Sequence, residues 1–200
     1  MVTSLRKYIG IDEAGRGPWA GPVVAAAVVL NSEQPWNLFQ DSKALSAKAR
    51  AKALEAIQTH HAYGVGIVHP HDIDRLNILQ ATFLAMERAV ENLQVRVGGV
   101  PGTLRIDGNQ IPPWAAEEPW NAQAVVGGDA TDASIAAASI VAKEVRDYWM
   151  RQMAHLWPGY GFEKHMGYGV PQHSAALEAL APCPIHRRSY APVRRLLEKA

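Results

Sequence analysis

Cysteine is nearly absent from this sequence. Among 200 residues only Cys183 occurs, which excludes an internal disulfide framework and a cysteine-built zinc site. A reducing, intracellular compartment is the expectation that follows. Long hydrophobic runs are missing too. The first apolar run of any length, Val23 to Leu30, has eight residues, against about 20 for a bilayer span. Met1 to Lys7 is short and mixed, and the run after it lacks the flanks of a signal peptide. The chain therefore reads as soluble and cytoplasmic, with no membrane contact. An excess of one charge sign is also lacking. Twenty Lys+Arg stand against 19 Asp+Glu, for a net charge of +1, so any nucleic-acid site has to be a local patch. A composition of 48% hydrophobic and 20% charged residues excludes a disordered tail, a collagen-like fibre and a charge-rich coiled coil. No repeat and no long low-complexity linker is visible. The length suits one domain over 1–200.

What is present alternates. Tyr8 to Asp12 reads as a strand that stops at the breaker cluster Gly15-Arg16-Gly17-Pro18. Pro22 to Leu30 reads as a second, buried strand. Ser46 is placed to cap a helix over 47–60. Tyr63 to Val68 is a third strand. The stripe Ile73, Leu76, Leu79, Phe83, Met86, Val90 predicts one helix over 72–94. Thr103 to Asp107 and Gln123 to Val126 are further strands. Gly108 to Trp120, with three prolines, reads as a surface loop. The longest helix runs over 132–157, and its small apolar start predicts deep burial. Short helices over 174–180 and 192–199 close the chain. The order implies an α/β fold, a mixed sheet covered by helices.

Several of these strands end in acid and glycine. Asp12 and Glu13 precede Gly15, Asp107 precedes Gly108, and Asp129 follows Gly127-Gly128. Ligand sites of such sheets lie at the carboxyl ends of strands. If these ends are neighbours, four carboxylates converge and repel one another by several kcal/mol. A hard divalent cation, Mg²⁺ or Mn²⁺, removes the conflict. Two such ions about 3.5–4 Å apart perform phosphoryl-transfer chemistry. Asp before Gly is commonly a turn residue, but the Asp12-Glu13 pair on an apolar strand is harder to read as a turn. Glu13 is expected at the edge of the site, because neighbours on a strand face opposite ways.

A competing motif lies in the same segment. Gly15-Arg16-Gly17-Pro18-Trp19-Ala20 matches the dinucleotide fingerprint G-x-G-x-x-A, which raises an NAD-dependent oxidoreductase as an alternative. Against it, a strand-like run follows in place of a helix, and two acids precede the glycines. A third alternative is a non-catalytic nucleic-acid binder. Of the histidines, His69 and His71 read as loop or cap residues, and His165 and His186 as supports. Tyr148, Trp149, Trp157 and Cys183 read as packing.

The ordered blocks resemble the type 2 ribonucleases H, the ribonuclease HII family. Tyr8-Ile-Gly-Ile-Asp12-Glu13-Ala-Gly15-Arg16-Gly17-Pro resembles its first motif, and Asp41-Ser42-Lys43 its second. Ile106-Asp107-Gly108-Asn109 resembles the strand with the third acid. Gly128-Asp129-Ala130, then Ser134 through Asp147, resembles the fourth acid and the buried helix. His165-Met-Gly167-Tyr168-Gly169 and His186-Arg187-Arg188-Ser189-Tyr190 resemble the two closing motifs. The resemblance implies an RNase H-like mixed five-stranded sheet flanked by helices, with a C-terminal helical region over 160–200. It implies cleavage of the RNA strand in RNA–DNA hybrids and incision 5′ of ribonucleotides in duplex DNA, leaving 3′-hydroxyl and 5′-phosphate. It implies a monomer with two divalent ions, Mn²⁺ or Mg²⁺, held by Asp12, Glu13, Asp107 and Asp129. Gly15, Arg16 and Gly17 then meet the ribose 2′-hydroxyl through the backbone, which suits a group that both donates and accepts. Tyr168 stacks on the next sugar. Lys43, Lys143 and Arg146 are expected phosphate contacts, and the basic stretch from Arg187 to the C-terminus extends the footprint. Three positions depart from the family pattern. Val170 stands where threonine is usual, Trp19 is bulkier than usual, and the loop after Asp107 is insertion-like. That gap makes Asp132 the rival of Asp129; Asp132 reads as a helix cap.

Overall fold

The computed structural model describes residues 8–34, 39, 45–99 and 102–199. Its centre is a mixed five-stranded sheet. Strands β1 (Tyr8–Ala14), β2 (Val23–Val29), β3 (Ala62–Val68), β4 (Thr103–Asp107) and β5 (Asn121–Val125) lie in the order β3-β2-β1-β4-β5. The pairs β1–β2 and β2–β3 are antiparallel, while β1–β4 and β4–β5 are parallel. Register between β1 and β4 sets Ile11 beside Ile106. One step further, Asp12 and Asp107 are level at the carboxyl ends of neighbouring strands.

Eight helices flank the described sheet. They are α1 (Ala47–His60), α2 (Pro70–Leu76), α3 (Ile78–Val97), α4 (Gly128–Thr131), α5 (Ala133–Leu156), α6 (Phe162–His165), α7 (Pro171–Leu180) and α8 (Ala191–Leu197). β-Branched residues on β1, β2 and β4 suit a sheet buried on both faces. Ile9, Ile11, Ala25 and Ile106 pack with Ala85, Ala89 and Leu93 of α3 on one face. Ala26 and Val28 pack with Ala136, Ala137, Ile140 and Val141 of α5 on the other. The alanine-rich start of α5 is needed because the sheet approaches it closely. A Cβ on Gly10 would sit 2.1 Å from the Ser134 carbonyl carbon. A third cluster, with Ala20, Met150, Phe162, Leu177 and Val193, seats α6, α7 and α8 at the end of α5.

Several expectations need correction. The helix predicted over 72–94 is two helices, broken at Asn77, whose φ is 69°. Asn77 turns the chain and its Oδ1 accepts from the amides of Leu79 and Gln80, capping α3. The first strand runs on through Ala14, so Glu13 lies inside it. The segment 108–120 is not simply surface. Trp114 and Trp120 pack against the α3-side core, and the Trp114 indole donates to the Phe83 carbonyl at 3.2 Å. Tyr148 is not packing either; it is 61% exposed on α5. The glycines of the dinucleotide-like motif lead into antiparallel β2. They open no helix, so the pyrophosphate reading has no helix N-terminus to use.

Candidate active site

The acids come first. Asp12 is buried on the α5 side and accepts a hydrogen bond from Ser139. Burial, then the neighbouring Glu13 and Asp107 carboxylates, push its carboxyl well above the usual range. Glu13 is pushed up by burial and by Asp107, against the pull of Arg16, whose Nη1 lies 3.3 Å from Oε1. Three carboxylates therefore feel one another at the ends of β1 and β4. Asp107 Oδ1 accepts the Gly128 amide at 2.8 Å. That bond ties the segment carrying the buried Asp129 to the end of β4. Asp132 serves elsewhere. It caps α5, its Oδ1 accepting from Ser134 and Ile135 amides at 2.8 and 3.1 Å, and it pairs with Arg105.

Hard oxygen donors in mutual repulsion suit a divalent cation of the Mg²⁺ or Mn²⁺ type. Among the described residues no three His, Cys, Asp or Glu side chains close around one point. The acids lie along an edge at the ends of β1 and β4.

Beside this edge opens a cleft of about 480 Å³. Glu13, Ala14, Gly15, Arg16 and Gly17 form one wall, Ser139 and Lys143 of α5 another, with Arg50 and Tyr168 at the rim. Lys143 also pairs with Asp147 at 2.7 Å. Arg50, from α1, is held by Glu144 at 2.7 Å. Gly17 faces the tyrosine, since a Cβ there would lie 3.8 Å from the Tyr168 ring. Trp19 joins the glycine turn to the tyrosine loop. Its amide donates to the Gly167 carbonyl at 2.9 Å, and its indole leaves no room for a side chain at residue 169.

Beneath the Gly15–Gly17 turn lie two buried guanidiniums, and here two expectations fail. Arg146 is 1% exposed, so it is not placed to meet a phosphate. Its Nε donates to the Pro22 carbonyl and its Nη2 to that of Ala20. Burial and the nearby Arg187 lower its pKa to about 10. Arg187, read as part of a basic surface stretch, is fully buried. It donates to the carbonyls of Gly15, Arg16, Gly21 and Pro22 and to the Tyr190 hydroxyl. The phenol of Tyr190 in turn donates to Arg16. Gly15 has φ 96°, and a Cβ there would strike Arg146 Nε at 2.0 Å. Only glycine fits this position.

Lys43 lies outside the described residues. Ser139, Arg50, Arg187 and Tyr190 acquire roles that their residue types did not signal. Ser139, Arg187 and Tyr190 did fall inside recognisable blocks, which was the available clue.

Comparison with known proteins follows the same line. The family model described as Ribonuclease HII matches residues 9–193. The chain is 53% identical over 192 residues to a ribonuclease HII of Maricaulis maris, covering 96% of this chain and 85% of the relative. It is 52% identical over 190 residues to one of Halorhodospira halophila, covering 94% of each. The crystal structure of a ribonuclease H2 from Pyrococcus horikoshii superposes with a TM-score of 0.76 at 26% identity, over 96% of this chain and 98% of that one.

Proposed function

The chain belongs to the ribonuclease HII family and is a ribonuclease H, and we propose that it also incises duplex DNA 5′ of embedded ribonucleotides. The family is divalent-metal dependent and acts on RNA–DNA hybrids. The observation that carries the finer reading is one cleft lined jointly by Glu13, the Gly15–Arg16–Gly17 turn and Tyr168. Chemistry and sugar recognition then share a single pocket.

Asp12, Glu13, Asp107 and Asp129 would hold the ions, Mg²⁺ or Mn²⁺, two to a site. When bound, these would supply positive charge at the attacking water and the leaving oxygen. Water attacks phosphorus, the bond from phosphorus to the 3′-oxygen breaks, and that oxygen takes a proton. The products are a 3′-hydroxyl and a 5′-phosphate.

The chain's own groups supply the rest. Arg187 draws the Gly15 and Arg16 carbonyls inward. A trans peptide is planar with C=O and N–H opposed, so the amides of Arg16 and Gly17 are directed away from Arg187, toward the cleft. There they suit the oxygen of a 2′-hydroxyl. Tyr168 stacks on the neighbouring sugar. Arg16, Arg50 and Lys143, which line the cleft, neutralise phosphates without reading sequence. The protein acts as a monomer on the duplex.

A binder without catalysis is the weaker reading. It has no use for acids at Asp12 and Glu13 whose pKa values are pushed up by burial and by neighbouring carboxylates. The test is a duplex with one ribonucleotide, resolved on a denaturing gel. Metal-dependent nicking 5′ of the ribonucleotide is expected, lost in Asp12→Asn and Asp107→Asn. Nicking that survives in both variants removes the proposal.

A further inference from the structure

Three histidines pack behind the tyrosine loop, and the acidic edge uses none of them. His173 of α7 and His186 are buried, with their Nε2 atoms 3.1 Å apart. One of the two must donate and the other accept. The direction follows from the far end of the chain of contacts. The Cys183 amide donates to His186 Nδ1 at 3.0 Å. Nδ1 also lies 3.3 Å from the Cys183 carbonyl, but the amide contact is the shorter, and a main-chain N–H cannot accept; this assigns the His186 proton to Nε2. The Cys183 thiol lies 3.1 Å from the same Nδ1 and is a second donor there. Burial pushes the thiol pKa up and keeps it protonated. His173 Nε2 is then the acceptor, and its Nδ1–H donates to the Tyr168 carbonyl at 2.9 Å.

His165 stacks on His173 with ring centres 4.6 Å apart. Its Nδ1 accepts the Gly167 amide at 3.2 Å, and its Nε2–H donates to the Tyr160 carbonyl at 2.9 Å. Phe162, Trp19 and Tyr160 close the cluster around the rings. Burial, then the neighbouring His173, lowers the pKa of His186 to about 4, and burial also lowers that of His173. Neutral rings are what this pattern of donors and acceptors requires.

Met166 and Gly167 have φ of 50° and 82°, and Tyr168 is 44% exposed. Main-chain bonds hold part of the loop: the Tyr168 amide donates to the His165 carbonyl and the Tyr168 carbonyl accepts the Val170 amide, each at 2.9 Å. His173 is the side chain that ties the same carbonyl to α7. We propose that His173, oriented by His186, is the positioning residue that fixes the Tyr168 main chain and so the pose of its ring against the substrate sugar. The inference rests on the reading of Tyr168 as a substrate contact. A purely space-filling role would be met by any ring. Three matched hydrogen bonds in series, from Cys183 N–H to the Tyr168 carbonyl, are more than space filling needs.

The first test uses the unaltered full chain. With ¹⁵N-labelled histidine at neutral pH, His173 should show the Nδ1–H tautomer and His186 the Nε2–H tautomer. The opposite tautomer at either ring, or a charged ring, overturns the proposal. The second test is kinetic, on the duplex with one ribonucleotide. His173→Phe keeps a ring and removes the donor; His173→Asn keeps an N–H near the place of Nδ1. His173→Phe should raise KM about tenfold with kcat within about twofold, and Asn should restore most of the loss. In a Tyr168→Ala background, itself raised in KM, His173→Phe should add nothing. Equal losses for Phe and Asn, or additive losses with Tyr168→Ala, overturn the relay. An unchanged KM in Tyr168→Ala, with both tautomers as assigned, overturns the proposal through the tyrosine reading instead. If His173→Phe does not fold, the tautomers in the unaltered protein decide.

Discussion

Arg187 Nη2 donates to the Gly15 carbonyl at 2.5 Å, across 172 positions of sequence. The closing motif of the chain thereby sets the shape of the turn in its first motif. The same guanidinium holds Arg16, Gly21 and Pro22. A planar fork can serve several carbonyls at fixed angles, which a lysine ammonium cannot.

Arg187→Lys is therefore expected to fail although it keeps the charge. Losing buried, charge-assisted bonds should cost about 3 kcal/mol. KM for the ribonucleotide-bearing duplex should rise about tenfold as the turn loosens. Urea unfolding and steady-state kinetics measure the two effects. If both are unchanged, the guanidinium does not shape the turn.

Asp12 links the site to pH. The folded protein holds the Asp12 proton to a higher pH than the unfolded chain does, whose aspartates titrate near about 3.9. Its contribution to stability is complete below that value and is lost as pH rises through the raised folded pKa. In metal-free protein, once the pH exceeds the raised folded pKa, Asp12→Asn should raise Tm by a few degrees. Activity should fall to below about 1% of the original. Mn²⁺ should raise the Tm of the unaltered protein more than that of the variant. Calorimetry with and without the ion checks all three; a lower Tm in Asp12→Asn without metal contradicts the assigned repulsion.

Asp129 and Asp132 should separate cleanly. Asp132→Ala removes the α5 cap and the Arg105 partner. It should cost about 1–2 kcal/mol while nicking persists. Asp129→Asn should keep the fold and lose nicking to below about 1%. The reverse pattern would make Asp132 the fourth acid.

Val170 stands at the N-cap of α7 without a side-chain cap bond. Val170→Thr should stabilise the protein by about 1 kcal/mol, since a hydroxyl satisfies a free helical amide. Thermal unfolding checks this, and no gain would mean that the cap geometry is not reached.

Local features were legible before any tertiary contact was known. Ser46 caps α1 as its position suggested, with its Oγ accepting from Ala49. The small, apolar start of α5 announced burial. The gap at Asn77 was not legible, because an apolar stripe continues through it while one asparagine changes the backbone direction. Trp114 lay in a proline-rich stretch that resembles a solvated loop until its indole is seen on the α3-side core.

The sequence by itself determined the elements, the acids at strand ends and the blocks that mark the family. Periodicity, caps and glycine turns act within a few residues and are written locally. Only the tertiary structure decided that Asp12 and Asp107 stand level, because strand register is a long-range pairing. It also decided that Arg146 and Arg187 face inward, beneath the turn, and not outward to solvent. A charged residue reads the same on either side of a helix or loop. Which side it takes depends on whether distant carbonyls, here those of residues 15–22, are there to satisfy its donors.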